Sequence, residues 1–155
     1  MKTGIVFPGA EGRQRHVGQI RTTITLENRD DLARARYGDI SADDIRAVTV
    51  SDVLVDTGAS ILCVPARIIE RLGLGFVREV ETDTATGPVI SRIFGDVRLT
   101  VEGRSATFEC LEMPGGDAVL LGVIPLETLG LELDLRNQRF ILLPDYGPET
   151  YISAL

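Results

Sequence analysis

The sequence predicts a single, mainly β domain carrying two short helices, and three observations predict it. The 155 residues are 44% hydrophobic but only 5% aromatic, with no Trp. A core must therefore come mostly from Leu, Ile and Val, a choice that leans towards strands. Much of the chain alternates apolar and polar residues between Gly- and Pro-containing turns, the period of a half-buried strand. The two clearest helical segments are short, each opened by a proline and closed by a glycine. A length of 155 residues suits one domain.

The elements follow in order. Residues 1–16 are polar and Gly-rich and read as an N-terminal arm or leader, ahead of a domain over 17–144 and a tail over 145–155. Residues 18–26 are β-branched and roughly alternating, a strand. Residues 27–44, rich in Asp and Arg, read as a surface excursion. Within it, 30–36 have the composition for about two helical turns, and Ser41-Ala42-Asp43-Asp44 resembles a capping sequence without a convincing helix behind it. Residues 45–56 form the next strand. Pro65 begins a helix over 65–72, where its missing N–H costs nothing, and Gly73 ends it as a left-handed cap. Residues 76–84 and 89–101 pair around the turn Ala85-Thr86-Gly87-Pro88. A second hairpin joins 96–101 to 105–111 through Glu102-Gly103. The loop 113–117 leads to an apolar strand over 118–121. Pro125 opens the second helix, closed by Gly130, and 131–143 reads as the last strand.

Composition excludes several functions. With 23 acidic against 16 basic residues the net charge is −7. Such a surface repels phosphate backbones and no basic stripe offsets it, so no nucleic acid is expected as a partner. Cys63 and Cys110 are too few for a disulfide framework, and both lie in apolar runs, as buried free thiols do. One histidine, His16, without a cysteine cluster cannot build the usual zinc or iron site, so neither metal nor cofactor is expected. The longest apolar stretch, 118–126, is broken by Gly122 and Pro125 and cannot span a bilayer. Residues 3–9 are too short and broken for a signal h-region. These features predict a soluble cytoplasmic protein without a membrane partner.

Two stretches resemble each other. Val53-Leu54-Val55-Asp56-Thr57-Gly58 precedes a Pro-initiated helix ending in Leu72-Gly73-Leu74, and Val119-Leu120-Leu121-Gly122 precedes another ending in Leu129-Gly130-Leu131. Convergence and an internal duplication both account for the likeness.

An aspartate at the end of a very apolar strand is physically unusual. Val53, Leu54 and Val55 lead towards the core, and Asp56 arrives there with a carboxylate that is costly to desolvate. Thr57 adds a hydroxyl, and Gly58 permits a tight turn and close backbone approach. The loop can thus surround a carboxylate with N–H and hydroxyl donors. Alone, Asp-Thr-Gly also fits an Asx-type turn at a strand end. The context is more specific. Val53-Leu54-Val55-Asp56-Thr57-Gly58-Ala59-Ser60 is followed by a Gly-tipped hairpin and then by Val119-Leu120-Leu121-Gly122 ahead of the final helix.

In that combination, over about residues 18–144, the chain resembles the retropepsin-like aspartic peptidases, the retroviral proteases and their single-domain bacterial and cellular relatives. The resemblance implies a small closed β-barrel-like fold. Retroviral members carry an Asp directly after the Ala and an Arg directly after the second glycine, and these pair. Here those positions are Ser60 and Val123, so both partners are absent together. The early Pro65 helix is closer to the cellular branch.

The resemblance further implies a homodimer acting on an extended peptide or protein substrate. Each chain supplies one Asp56, and two carboxylates about 3 Å apart share one proton and hold a water between them. Thr57 braces the two loops, Gly58 offers backbone acceptors to the substrate, and Ala59 and Ser60 complete the loop. Leu120, Leu121 and Gly122 form a second glycine loop. Ala85, Thr86, Gly87 and Pro88 tip a flap that closes over the peptide and excludes water. Two other classes compete. One is a non-catalytic peptide-binding or scaffold module on the same fold. The other is an Asp-nucleophile phosphotransferase or carboxylate–metal hydrolase, which needs a second acid nearby. Alternation places Asp52 on the same face as Asp56 but about 13 Å away, too far to share a metal. Glu109, Glu112 and Asp117 read as ordinary surface acids.

Overall fold

The structure is a computed structural model that describes residues 5–7 and 19–144. Apart from 5–7, the expected arm and tail lie outside the described residues. The elements begin with β1 (Ile5–Phe7), β2 (Arg21–Asn28), α1 (Arg29–Arg36), β3 (Ala47–Val55), β4 (Leu62–Val64) and α2 (Ala66–Leu72). They continue with β5 (Gly75–Thr84), β6 (Gly87–Val101), β7 (Arg104–Glu112), β8 (Leu120–Leu121), α3 (Val123–Leu129), β9 (Leu131–Asp134) and β10 (Arg139–Leu142). A 3-10 turn covers Ala42–Asp44 and carries the capping box that Ser41 and Asp44 suggest.

The fold is mainly β and closes on itself. β3 pairs with β2, β2 with β6, β6 with β7, β7 with β4 and β4 with β8, and β8 returns to β3 in parallel. β1 lies parallel to β3 opposite 48–50, and β5 extends β6 outwards as a long hairpin. Inside the ring, Ile24, Leu26, Val48, Leu62, Ile68, Leu72, Leu99 and Leu121 are fully buried, an aliphatic core as the composition requires. Among the described residues no helix is long and apolar enough to cross a membrane.

Four local expectations change. The excursion after β2 opens with a true helix, giving three helices rather than two. Asn28 caps α1 by accepting from the Asp31 N–H at 2.9 Å, with Asp30 and Asp31 in the first turn and Arg34 and Arg36 in the last. The second predicted helix starts at Val123 rather than Pro125, with Gly122 as N-cap. Pro125 then sits within the first turn, where an N–H has no helical acceptor anyway. The expected last strand is a hairpin, β9 with β10, turned where the Asp134 carboxylate accepts from the Asn137 N–H (3.1 Å) and Nδ2 (2.7 Å).

The fourth change is a bulge in β3. Val48 and Val50 are buried, then Val53 and Val55, so the alternation slips by one at Ser51-Asp52. Asp52 has φ +58°, a left-handed conformation that Asp tolerates. Arg21 Nη1 donates to its carbonyl at 3.1 Å and its carboxylate at 3.4 Å. Simple alternation therefore does not relate Asp52 to Asp56, and Asp52 is held by Arg21.

Candidate active site

β3 ends at Val55, which is buried, and Asp56 follows half-buried at the rim rather than inside the core. Three hydrogen bonds shape the loop. The Asp56 N–H donates to Leu121 O at 3.0 Å, and the Ala59 N–H donates back to Asp56 O at 3.1 Å. The Gly58 N–H donates to Asp56 Oδ1 at 2.8 Å, fixing the carboxylate over its own turn. Thr57, Gly58 and Ser60 are exposed.

The second glycine segment is what the loop rests on. Leu54 and Val55 pair in parallel with Leu120 and Leu121, so both apolar strands end side by side. α3 then starts at once, and its first amides have no partners within the helix. The loop supplies them: Val123 N–H donates to Ala59 O at 3.0 Å and Ile124 N–H to Ser60 O at 2.9 Å. Ser60 and Val123 are thus each held to the other segment through backbone, Ser60 by Ile124 and Val123 by Ala59. Gly122 makes this possible. A Cβ there would lie 2.5 Å from Ile61 O and 2.7 Å from Ala59 O, contacts that no side chain can make. The structure therefore brings Asp56, Thr57, Gly58, Ala59 and Ser60 together with Leu120, Leu121 and Gly122.

The hairpin predicted over 76–101 forms as β5 and β6, with a shorter tip than expected. Only Ala85 and Thr86 lie in the turn, while Gly87 and Pro88 already belong to β6, opposite Thr84 and Asp83. Thr84 Oγ1 donates to Gly87 O at 2.6 Å and accepts from the Thr86 N–H at 3.3 Å. Gly87 takes φ +114°, a conformation that suits glycine. Nearer its base, Val80 and Ile93 pack with Ile61, Cys63, Leu111, Met113 and Leu120. Ile61 follows the Asp56 loop and Leu120 precedes Leu121, so the base of the hairpin is seated beside both glycine segments. The residues 85–88 are at its far end.

The charges around the loop are otherwise accounted for. Glu109 pairs with Arg78 (2.8 Å), Glu112 with Arg92 (2.7 Å) and Asp117 with Arg67 (3.3 Å). These acids are less ordinary than they read, since two of them tie β7 to the hairpin. Among the described residues no basic side chain pairs with Asp56. Cys63 and Cys110 are free and buried. Burial lifts the Cys63 thiol to about 11, helped by the negative charge of Asp56, and burial lifts Cys110 to about 12. Neither is a nucleophile at neutral pH. Among the described residues no group of three or more His, Cys, Asp or Glu converges on a point that could hold a metal.

Sequence reasoning missed the supports beneath the site. Asn28 Nδ2 donates to Leu72 O at 2.8 Å, closing the C-terminus of α2. Arg104 Nη1 does the same for α3, reaching Leu129 O and Gly130 O at 3.0 Å each, and its Nη2 donates to Leu143 O. Asn28, with Asp30 and Asp31 two and three residues on, carries a helix-start signal; nothing local marks Arg104.

Residues 41–124, more than half of the chain, match the model of a family described as Aspartyl protease. The matched stretch runs from the capping turn through the Asp56 loop, the hairpin and Gly122 to the start of α3. The chain belongs to this aspartyl protease family, which is of the retropepsin-like clan. No curated protein matches it.

Proposed function

We propose that the protein is an aspartic endopeptidase that works as a homodimer, with one Asp56 from each chain. The observation that carries this reading is a single half-exposed carboxylate on a loop clamped from beneath, with no second carboxylate in that loop. Aspartic chemistry needs two, so the other comes from a second copy. Two such groups about 3 Å apart share one proton. The ionised Asp56 takes a proton from the bound water as its oxygen attacks the scissile carbonyl carbon. The protonated one donates to the carbonyl oxygen, giving a neutral gem-diol. Collapse of the diol breaks the C–N bond, and a proton passes through the dyad to the leaving nitrogen.

Thr57 and Gly58, exposed at the surface, provide the contacts to the second loop and to the substrate backbone. The β5–β6 hairpin closes over an extended peptide, with Ala85, Thr86, Gly87 and Pro88 at its leading end. The two unpaired buried thiols suit a reducing, cytoplasmic setting.

The test is Asp56→Asn. Cleavage of a peptide library should fall by at least about a thousandfold with Tm unchanged. Mixed in equal amounts with the unmodified chain at constant total protein, the variant should cut activity to about a quarter, because mixed dimers are inactive. A fully active monomer, or activity that merely averages on mixing, overturns the shared site. Peptide binding without any cleavage would favour the scaffold reading.

A further inference from the structure

The hairpin carries an unexplained polar feature. In the β5–β6 register Val80 lies opposite Ser91 and Thr82 opposite Val89, so these four side chains share one face, with Ile93 next along. Burial confirms which face this is. Val80, Thr82 and Val89 are half-buried and Ser91 and Ile93 buried, whereas Glu79, Glu81, Ile90 and Arg92 between them are exposed. Through Val80 and Ile93 the covered face is seated on Ile61 and Leu120, beside the two glycine segments. Two hydroxyls lie on it, Thr82 Oγ1 and Ser91 Oγ, and both are buried without a hydrogen-bond partner. Ser91 is only 4% exposed.

Buried hydroxyls are nearly always partnered, because an unmade hydrogen bond forfeits the water it displaced. Replacing either by a methyl would be easier for the free protein. Thr82 and Ser91 are diagonal neighbours, about 7 Å apart at Cα, close enough for one small group to meet both oxygens. Each hydroxyl can donate or accept. The surroundings, Val80, Val89 and Ile93, are apolar, and the nearest charge on that face by register, Arg78, is paired with Glu109 at 2.8 Å. A charged group would be desolvated there without a counter-ion. The fitting complement is neutral and holds both a donor and an acceptor, and among side chains a carboxamide carries the two on separate atoms, so that it can meet both hydroxyls.

We infer that Thr82 and Ser91 are specificity-determining residues, forming a subsite beneath the hairpin that takes an Asn or Gln side chain of the bound peptide. This rests on the hairpin covering the substrate, as proposed above. An isosteric Leu in the same place leaves both hydroxyls unpaired, and sites built to hydrogen-bond reject such analogues.

The test uses the full chain carrying Asp56→Asn, so that peptides persist, and a positional library of extended peptides holding either Asn or Leu at each position. Binding is read by fluorescence anisotropy, and cleavage of the same peptides is followed with the unmodified protein. At one position Asn should bind about tenfold tighter than Leu. Thr82→Val with Ser91→Ala should abolish that preference while raising Tm, a combination that a merely structural role would not produce. Equal binding of the two series at every position overturns the inference, as does a preference that survives the double variant. Selective binding of Asn peptides with no cleavage by the unmodified protein would retain the subsite and remove the peptidase reading. Absence of both binding and cleavage would remove both.

Discussion

The two strand–glycine–helix units of this chain are built from nearly the same parts and put them to opposite uses. In each, an apolar strand runs to a glycine, and a seven-residue helix ends in a left-handed glycine, Gly73 (φ +63°) or Gly130 (φ +65°). In the second unit the helix starts directly at Gly122, which is buried against the backbone of 59–61. In the first unit an exposed loop and β4 intervene, and Gly58 lies in the open with only the Asp56 carboxylate near. One unit is filled so that the other can be open. A loop that stays exposed cannot also pack itself, so its rigidity is supplied by its neighbour.

The sharpest way to break this comparison is to add the same methyl to both glycines. Gly122→Ala pushes a Cβ into three backbone atoms that cannot move aside, and should cost about 3 kcal/mol in urea unfolding. Gly58→Ala meets only Asp56 Oδ1 at 3.0 Å. Its stability should stay within about 0.5 kcal/mol, while displacement of the carboxylate lowers kcat/KM on the order of a hundredfold. Equal effects on stability would mean that the units are not divided in this way.

The helix ends offer a second contrast. α2 is closed by Asn28, which is buried and also caps α1, and α3 by Arg104, which is half-buried. Asn28→Ala orphans both the Leu72 carbonyl and the Asp31 N–H and should cost about 2 kcal/mol. Arg104→Met, where water can reach the freed carbonyls, should cost about 1 kcal/mol.

Acid should separate the units further. Asp31 accepts from the Arg46 N–H (3.0 Å), Nε (2.8 Å) and Nη2 (3.0 Å), and the guanidinium holds its carboxyl below the ordinary 3.8. A depressed carboxyl contributes its stability above the unfolded value and loses it as pH falls through the folded one. That contribution is complete at neutral pH and disappears below about 3.8. Arg46 lies against Gly73, so the loss falls on the first unit, whereas Arg104 keeps its charge throughout. Hydrogen exchange on acidification should deprotect 66–73 before 123–130, and Asp31→Asn should abolish that dependence on pH.

How much of this was legible in the sequence follows from how local each cause is. Period-two patterns and Pro and Gly punctuation are local, so the strands, the two glycine-capped helices and the loop at Asp56 could be read directly. α1 could not be read with the same clarity. Its eight residues hold Leu32 and two alanines against five charged side chains, and its fixed points, Asn28 to Leu72 and Asp31 to Arg46, lie on other elements. The bulge at Asp52 depends on Arg21, thirty-one residues away, and shifted a face assignment that alternation alone had made. The early start of α3 had the same kind of cause, since the carbonyls of Ala59 and Ser60 outweighed the preference of proline for the first helical position.

The ring closes through β3 and β8, which share two residue pairs, Leu54 with Leu120 and Val55 with Leu121. That seam joins positions sixty-six apart in the chain, the kind of distant pairing that forms late because its loop must first be closed. It also holds the Asp56 amide, which donates to Leu121 O at 3.0 Å. During synthesis the loop at 56–60 emerges long before 120–124, and until then it has neither the carbonyl beneath Asp56 nor the helix amides that grip Ala59 and Ser60. The shape of the loop thus becomes a timer. A nascent chain cannot complete the loop around Asp56 until the barrel beneath it is nearly finished.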